Sequence, residues 1–76
     1  MTVEELKRNL TEMNIPEDMY SLMTGGYPNE AFCLIKSDKG WEVYYSERGQ
    51  KSSVREFSSE SEACEYLKQK LKKYAR

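Results

Sequence analysis

Two cysteines and a surplus of carboxylates are the residues of this chain whose types most often carry chemistry, and no histidine accompanies them. Without histidine, the sequence excludes imidazole-ligated zinc sites and hydrolases in which a histidine base activates serine or cysteine. Cys33 and Cys64 are too few for a closed four-ligand metal site, and they lack CxxC spacing. We therefore predict no metal and no cofactor, and we expect both cysteines to be free thiols in the core.

The carboxylates and the paired glycines do not form an enzymatic motif either. Glu42, Glu47 and Glu56 could converge on one sheet face, but paired-carboxylate chemistry requires a cleft that raises one pKa. A chain of 76 residues offers little depth for such a cleft. Gly25-Gly26 is not followed by Lys-Ser or Lys-Thr at the spacing of a phosphate loop. We accordingly expect a protein that is not an enzyme.

Length and composition indicate a single domain over residues 1–76. The chain is 38% hydrophobic and 33% charged, with a mean hydropathy of -0.87, so its core should be thin. The longest apolar run, residues 31–35, is far shorter than a membrane span, and residues 1–14 lack the apolar segment of a signal peptide. We expect a soluble, cytoplasmic protein with no membrane association.

The charge distribution is uneven although the net charge is only -1. Five of the 12 basic residues lie in the last nine positions: Lys68, Lys70, Lys72, Lys73 and Arg76. The preceding residues carry seven basic and 13 acidic side chains, a net charge of -6. The basic tail is typical of a helix C-terminus, where cations oppose the negative end of the helix dipole.

Two helices are predicted, one at each end of the chain. Thr2-Val3-Glu4-Glu5 and Ser59-Glu60-Ser61-Glu62 are both capping boxes, so each should begin a helix. Apolar residues at spacings of three and four follow each box and should form its buried stripe. These are Val3, Leu6, Leu10 and Met13 in the first helix, and Ala63, Leu67, Leu71 and Tyr74 in the second, with Asn14 ending the first.

Between the helices, the pattern predicts three or four short antiparallel strands. Residues 31–36 are apolar on both alternating sets, residues 41–46 are aromatic and β-branched, and residues 53–57 form a further strand. Residues 19–23 are a candidate for a short first strand. The order helix, strands, helix predicts an α+β domain with an open antiparallel sheet and both helices on one face.

Aromatic residues are the most informative side chains for function. If Trp41, Val43 and Tyr45 face the helices, pleating places Glu42 and Tyr44 on the opposite face unless another element covers it. We therefore expect Tyr44 to be exposed, with Arg48 nearby at the hairpin end, and tyrosine beside arginine is typical of protein-protein hot spots. The predicted partner-binding patch is Glu42, Tyr44, Glu47 and Arg48, with Trp41 and Phe57 in the core.

A longer stretch around this patch resembles a known family. The resemblance lies in Trp41-Glu42-Val43-Tyr44-Tyr45-Ser46-Glu47-Arg48-Gly49, in Phe57, in residues 60–67, and in Tyr20-Ser21-Leu22 with Gly26 and Pro28. Together these residues resemble small bacterial immunity proteins of polymorphic-toxin systems, over roughly two thirds of the chain. Such a resemblance implies a non-enzymatic inhibitor that binds the C-terminal domain of a cognate toxin. It does not provide the contact residues, the toxin's activity or the oligomeric state.

Two other classes of function remain open from the sequence. An adaptor or regulatory domain would use the same exposed tyrosines to bind a partner other than a toxin. An RNA-binding module shares the order helix, three strands, helix. Against nucleic acid, the final helix begins with Glu60, Glu62 and Glu65, where a double-stranded RNA-binding domain carries lysines that meet phosphates. We expect a protein partner and no nucleic acid.

Overall fold

The computed structural model describes residues 1–75, which form two α-helices and four strands. The helices are α1 (Val3–Glu12) and α2 (Glu60–Leu71). The strands are β1 (Tyr20–Leu22), β2 (Ala31–Ser37), β3 (Gly40–Glu47) and β4 (Gln50–Phe57), and short 3-10 turns lie at Glu17–Met19 and Lys72–Tyr74. The predicted α+β class, with a helix at each end of a small sheet, is confirmed. Arg76, one of the five cations of the predicted basic tail, lies outside the described residues.

The sheet is mixed, with strand order β1-β2-β3-β4. The two hairpins, β2–β3 and β3–β4, are antiparallel as predicted, but β1 pairs parallel to β2, with Tyr20 opposite Phe32. A chain that joins neighbouring parallel strands must cross one face of the sheet. Residues 23–30 make this crossing without a helix, so the prediction that all strands run antiparallel is wrong for β1.

Local capping explains where the helices begin and end. At α1 the Thr2 hydroxyl accepts from the Glu5 amide at 3.2 Å, and the Glu5 carboxylate accepts from the Thr2 amide at 2.9 Å, which confirms the capping box. Asn14 adopts a left-handed φ of 59° just after α1. At α2 the Ser59 hydroxyl accepts from the Glu62 amide, whereas the Glu62 carboxylate accepts from serine hydroxyls rather than from the Ser59 amide.

The core lies between the helices and one face of the sheet. It combines the predicted helix stripes with the inward positions of β2 and β3, and its fully buried members include Leu6, Leu10, Leu34, Val43, Cys64, Leu67 and Leu71. Cys33 is also fully buried, and neither cysteine forms a disulfide, as predicted. No helix within residues 1–75 is both long enough and apolar enough to cross a membrane.

The two helices lie side by side and run in the same direction. The Val3 amide, at the start of α1, donates to the Glu60 carboxylate at the start of α2 over 2.8 Å. Further along, the Lys68 ammonium donates to the Asn9 side chain over 3.4 Å. The positive end of the helix dipole stabilises carboxylates in the first turn of a helix. Because the two helices begin side by side, four such carboxylates lie at one end of the molecule: Glu4, Glu5, Glu60 and Glu62.

Gly40 provides a test of the close contact between the β2–β3 turn and the end of β4. Its φ is +133°, and a Cβ atom there would overlap the backbone oxygen of Phe57. Gly49 also has a positive φ, +73°, but a Cβ atom there meets nothing within 4 Å. We expect Gly49→Ala to lower the free energy of unfolding by about 1 kcal/mol and Gly40→Ala to lower it by about 2 kcal/mol more, measured by urea denaturation. Equal losses would contradict the close contact.

Candidate partner-binding site

Tyr44 is not on the surface, and the prediction that it is exposed is wrong. Trp41 and Val43 pack against the helix-side core, and the intervening strand positions point to the other face, as pleating predicted. Around Tyr44, that other face is covered by the crossing segment, residues 23–30. The Tyr44 hydroxyl donates a hydrogen bond of 2.7 Å to the Gly26 carbonyl, and only 1% of the residue is exposed.

Glu42 and Tyr44 belong to a packed polar network. The Lys51 ammonium lies 4.6 Å from the centroid of the Tyr44 ring and 2.9 Å from Oε1 of Glu42. Burial raises the pKa of Tyr44 to about 12, and neighbouring Cys33 and Glu42 contribute in the same direction. Burial also raises the pKa of the Cys33 thiol, so this cysteine stays protonated near neutral pH. The network holds the crossing segment on the sheet.

Glu47 and Arg48 are exposed but lie apart from this network. Arg48, with φ +50°, and Gly49 form the two-residue turn between β3 and β4. At about 3.3 Å per residue, six positions along the strand separate Glu42 from Arg48 by roughly 20 Å. Strand alternation also places Glu47 on the helix side, opposite to Glu42. The structure therefore brings Glu42 and Tyr44 together, and it does not bring the four predicted patch residues onto one surface.

A different surface combines exposed apolar groups with carboxylates. A groove of about 470 Å³ lies between α1 and β1, and Val3, Leu22 and Met23 supply its apolar lining. A neighbouring depression of about 450 Å³ shares Val3, Glu4 and Met23 with it and adds Trp41 and Glu60. We call these two together the N-terminal groove. Its charged lining is Glu4, Glu17, Glu60 and Lys7.

The elements that form the N-terminal groove explain its composition. The parallel alignment of α1 and α2 puts the acidic first turns of both helices beside it, and the Glu60 carboxylate also accepts from the Val3 amide. β1 is an edge strand, so within residues 1–75 its outer side has no strand partner. Met23, directly after β1, is 46% exposed, and Trp41, predicted to be in the core, is only partly buried.

The N-terminal groove combines apolar side chains with carboxylates. Tryptophan and methionine are enriched in interface cores, and carboxylates at the rim select a basic partner. Within residues 1–75, no group of three or more cysteine and carboxylate residues is placed to hold a metal ion. The sequence pattern did not identify Met23 and Val3 as a surface, because their proximity depends on the parallel pairing of β1.

Comparison with protein-family models, with curated proteins and with solved structures finds no match to this chain.

The buried hydroxyl of Tyr44 predicts a distinctive titration. Its pKa is about 12 in the folded protein against about 10 in an unfolded chain, so the folded state keeps a proton that the unfolded state loses. Stability should therefore fall as pH rises from 10 towards 12, and Tyr44→Phe should reduce this fall. Burial also raises the pKa of Tyr45, so the late phase that belongs to Tyr44 is the one near pH 12 in the absorbance of the six tyrosines at 295 nm, and Y44F should remove this late phase. A late phase that persists in folded Y44F would contradict the assignment.

Proposed function

We propose that this protein is a non-enzymatic binding protein that engages a basic segment of another protein at the N-terminal groove. The observation that carries the proposal is the composition of that groove, in which Val3, Met23 and Trp41 lie beside three carboxylates. When a partner covers aromatic and methionine side chains, much apolar surface is removed from water. The carboxylates orient a basic partner.

In its more specific form, the proposal is that the protein is an immunity protein. The resemblance of residues 41–49 and 60–67 to polymorphic-toxin immunity proteins supports this form. It implies a cytoplasmic inhibitor that binds the C-terminal domain of a toxin delivered by neighbouring cells. Neither a membrane nor a nucleic acid is part of the proposed complex.

Electrostatic steering gives the acidic surface a role in such a complex. Residues 1–67 carry a net charge of -6, which attracts cationic surfaces over a Debye length, about 8 Å at physiological salt. Toxins that cleave nucleic acids hold phosphates with lysine and arginine, so their substrate grooves are positively charged. An acidic, apolar surface that covers such a groove would compete directly with the substrate.

The expected contact residues lie in the N-terminal groove and not around Tyr44. Tyr44 is buried and Glu42 is ion-paired, so neither provides a free side chain for a partner. Truncating Tyr44 to alanine would leave the Gly26 carbonyl without its hydrogen bond and open a cavity, so lost binding in such a variant would report unfolding. Glu4 and Glu17 are exposed in the N-terminal groove, and they test the proposal without disturbing the core.

The test is to co-express the chain with the C-terminal domain of the protein encoded directly upstream, and to measure growth protection and the Kd of the purified pair. We expect protection, and we expect E4Q/E17Q to weaken binding about fivefold or more at low salt, with a smaller loss at high salt. The matched control is E12Q/E56Q, which removes two exposed carboxylates outside the N-terminal groove. Its Kd should change less than twofold.

Two results would contradict different parts of the proposal. If both double variants bind equally well, the N-terminal groove is not the interface. If the upstream domain is not toxic and a regulatory protein binds instead, the protein is an adaptor rather than an immunity protein.

A further inference from the structure

A concave surface of the opposite charge lies where the end of α2 passes over β3 and β4. Its volume is about 250 Å³. The Phe32 and Tyr45 rings, 4.9 Å apart at their centroids, contribute to its apolar lining. We call it the C-terminal cleft, and its other defining residues are Tyr66, Lys70, Lys73 and Tyr74. The N-terminal groove shares none of these residues.

Cations are held against the tyrosine rings of the C-terminal cleft. The Lys70 ammonium lies 5.4 Å from the centroid of the Tyr66 ring, and the Arg55 guanidinium lies 6.0 Å from the same ring. The Lys73 ammonium lies 5.3 Å from the centroid of the Tyr74 ring. None of these three cations forms an ion pair with a carboxylate within residues 1–75. They are positioned by the rings yet retain their capacity to bind an anion.

The fold accounts for both the cations and the space between them. Lys70 and Lys73 are three residues apart and therefore project from the same side of the helical end, where cations also oppose the helix dipole. On the sheet side, the register of β3 and β4 shifts between Val43 and Tyr45, and Ser53 has a φ of +52°. Such a bulge bends the strand locally, and Ser53 lines the cleft.

We propose that the C-terminal cleft binds an acidic peptide segment of another protein, with carboxylates at Lys70 and Lys73 and one apolar side chain on the Phe32–Tyr45 pair. This site goes beyond the proposed function, because the N-terminal groove selects the opposite charge. The helix dipole alone would explain basic residues anywhere around the end of α2. It does not explain unpaired cations lying over the tyrosine rings that line the cleft.

Charge complementarity and ring geometry favour a peptide over a nucleic acid. Cations lie over Tyr66 and Tyr74, whereas single-stranded nucleic acids need free ring faces on which bases stack. Burial raises the pKa of Tyr45, and the nearby carboxylates of Glu30 and Glu47 raise it further, so the margin beside Tyr45 is negatively charged. A continuous phosphate chain would meet this margin, whereas a short segment with a few carboxylates can avoid it.

The test uses short peptides and ¹⁵N-labelled protein. The probe is acetyl-Glu-Asp-Phe-Glu-Asp-amide, and the matched peptide is acetyl-Gln-Asn-Phe-Gln-Asn-amide. We expect the acidic peptide to shift amide resonances of Tyr45, Tyr66, Lys70, Lys73 and their neighbours, and to bind at least fivefold more tightly than the amide peptide. K70E/K73E should abolish the shifts. K70Q/K73Q should weaken them, and it changes the charge at the end of α2 by less.

The control variant R8E/K39E makes the same change in net charge at two exposed basic residues that line neither the C-terminal cleft nor the N-terminal groove, and it should bind the acidic peptide as the parent does. Equal binding of the acidic peptide by folded K70E/K73E, or equal affinity for both peptides, would overturn the proposal. Tighter binding of the oligonucleotide dT10 at the same residues would assign the cleft to nucleic acid. If the shifts depend on protein concentration in the absence of peptide, the C-terminal cleft binds the N-terminal groove of a second copy instead.

Discussion

The parallel pairing of β1 with β2 determines how the second face of the sheet is covered and where the N-terminal groove forms. It obliges residues 23–30 to cross the sheet on the face opposite the helices, because the helices already occupy the other face. The hydrogen bond from Tyr44 to Gly26 and the contact of Lys51 with the Tyr44 ring then fix the crossing segment in place. A small domain thereby gains a second covered layer, although its main core is thin.

The same pairing brings the start of the crossing segment beside α1 and so creates the N-terminal groove. The helices contribute through their direction, because two parallel helices place two acidic first turns together and leave the lysines of α2 near the opposite end. Charge separation in this molecule is thus a consequence of helix capping and helix packing. The net charge of -1 conceals two surfaces of opposite sign.

Features encoded by neighbouring residues were predictable from the sequence, and features that depend on long-range pairing were not. Capping, periodicity and turn chemistry depend on neighbouring residues. They therefore predicted the N-caps at Thr2 and Ser59, the apolar stripes of the helices and the two hairpins. Pleating also assigned Tyr44 to the correct face. Its exposure was mispredicted because nothing local shows that β1 joins β2 in parallel, and the burial of Tyr44 depends on that pairing.

Hydrogen exchange of the complex with the C-terminal domain of the upstream protein tests most directly where the partner binds. We expect amides in residues 3–7 and 20–24 to exchange more slowly in the complex, while those of the turn at residues 47–50 are unchanged. Slower exchange confined to residues 42–50, with no change along α1 and β1, would contradict this expectation. That result would place the partner on the β3–β4 hairpin and not in the N-terminal groove.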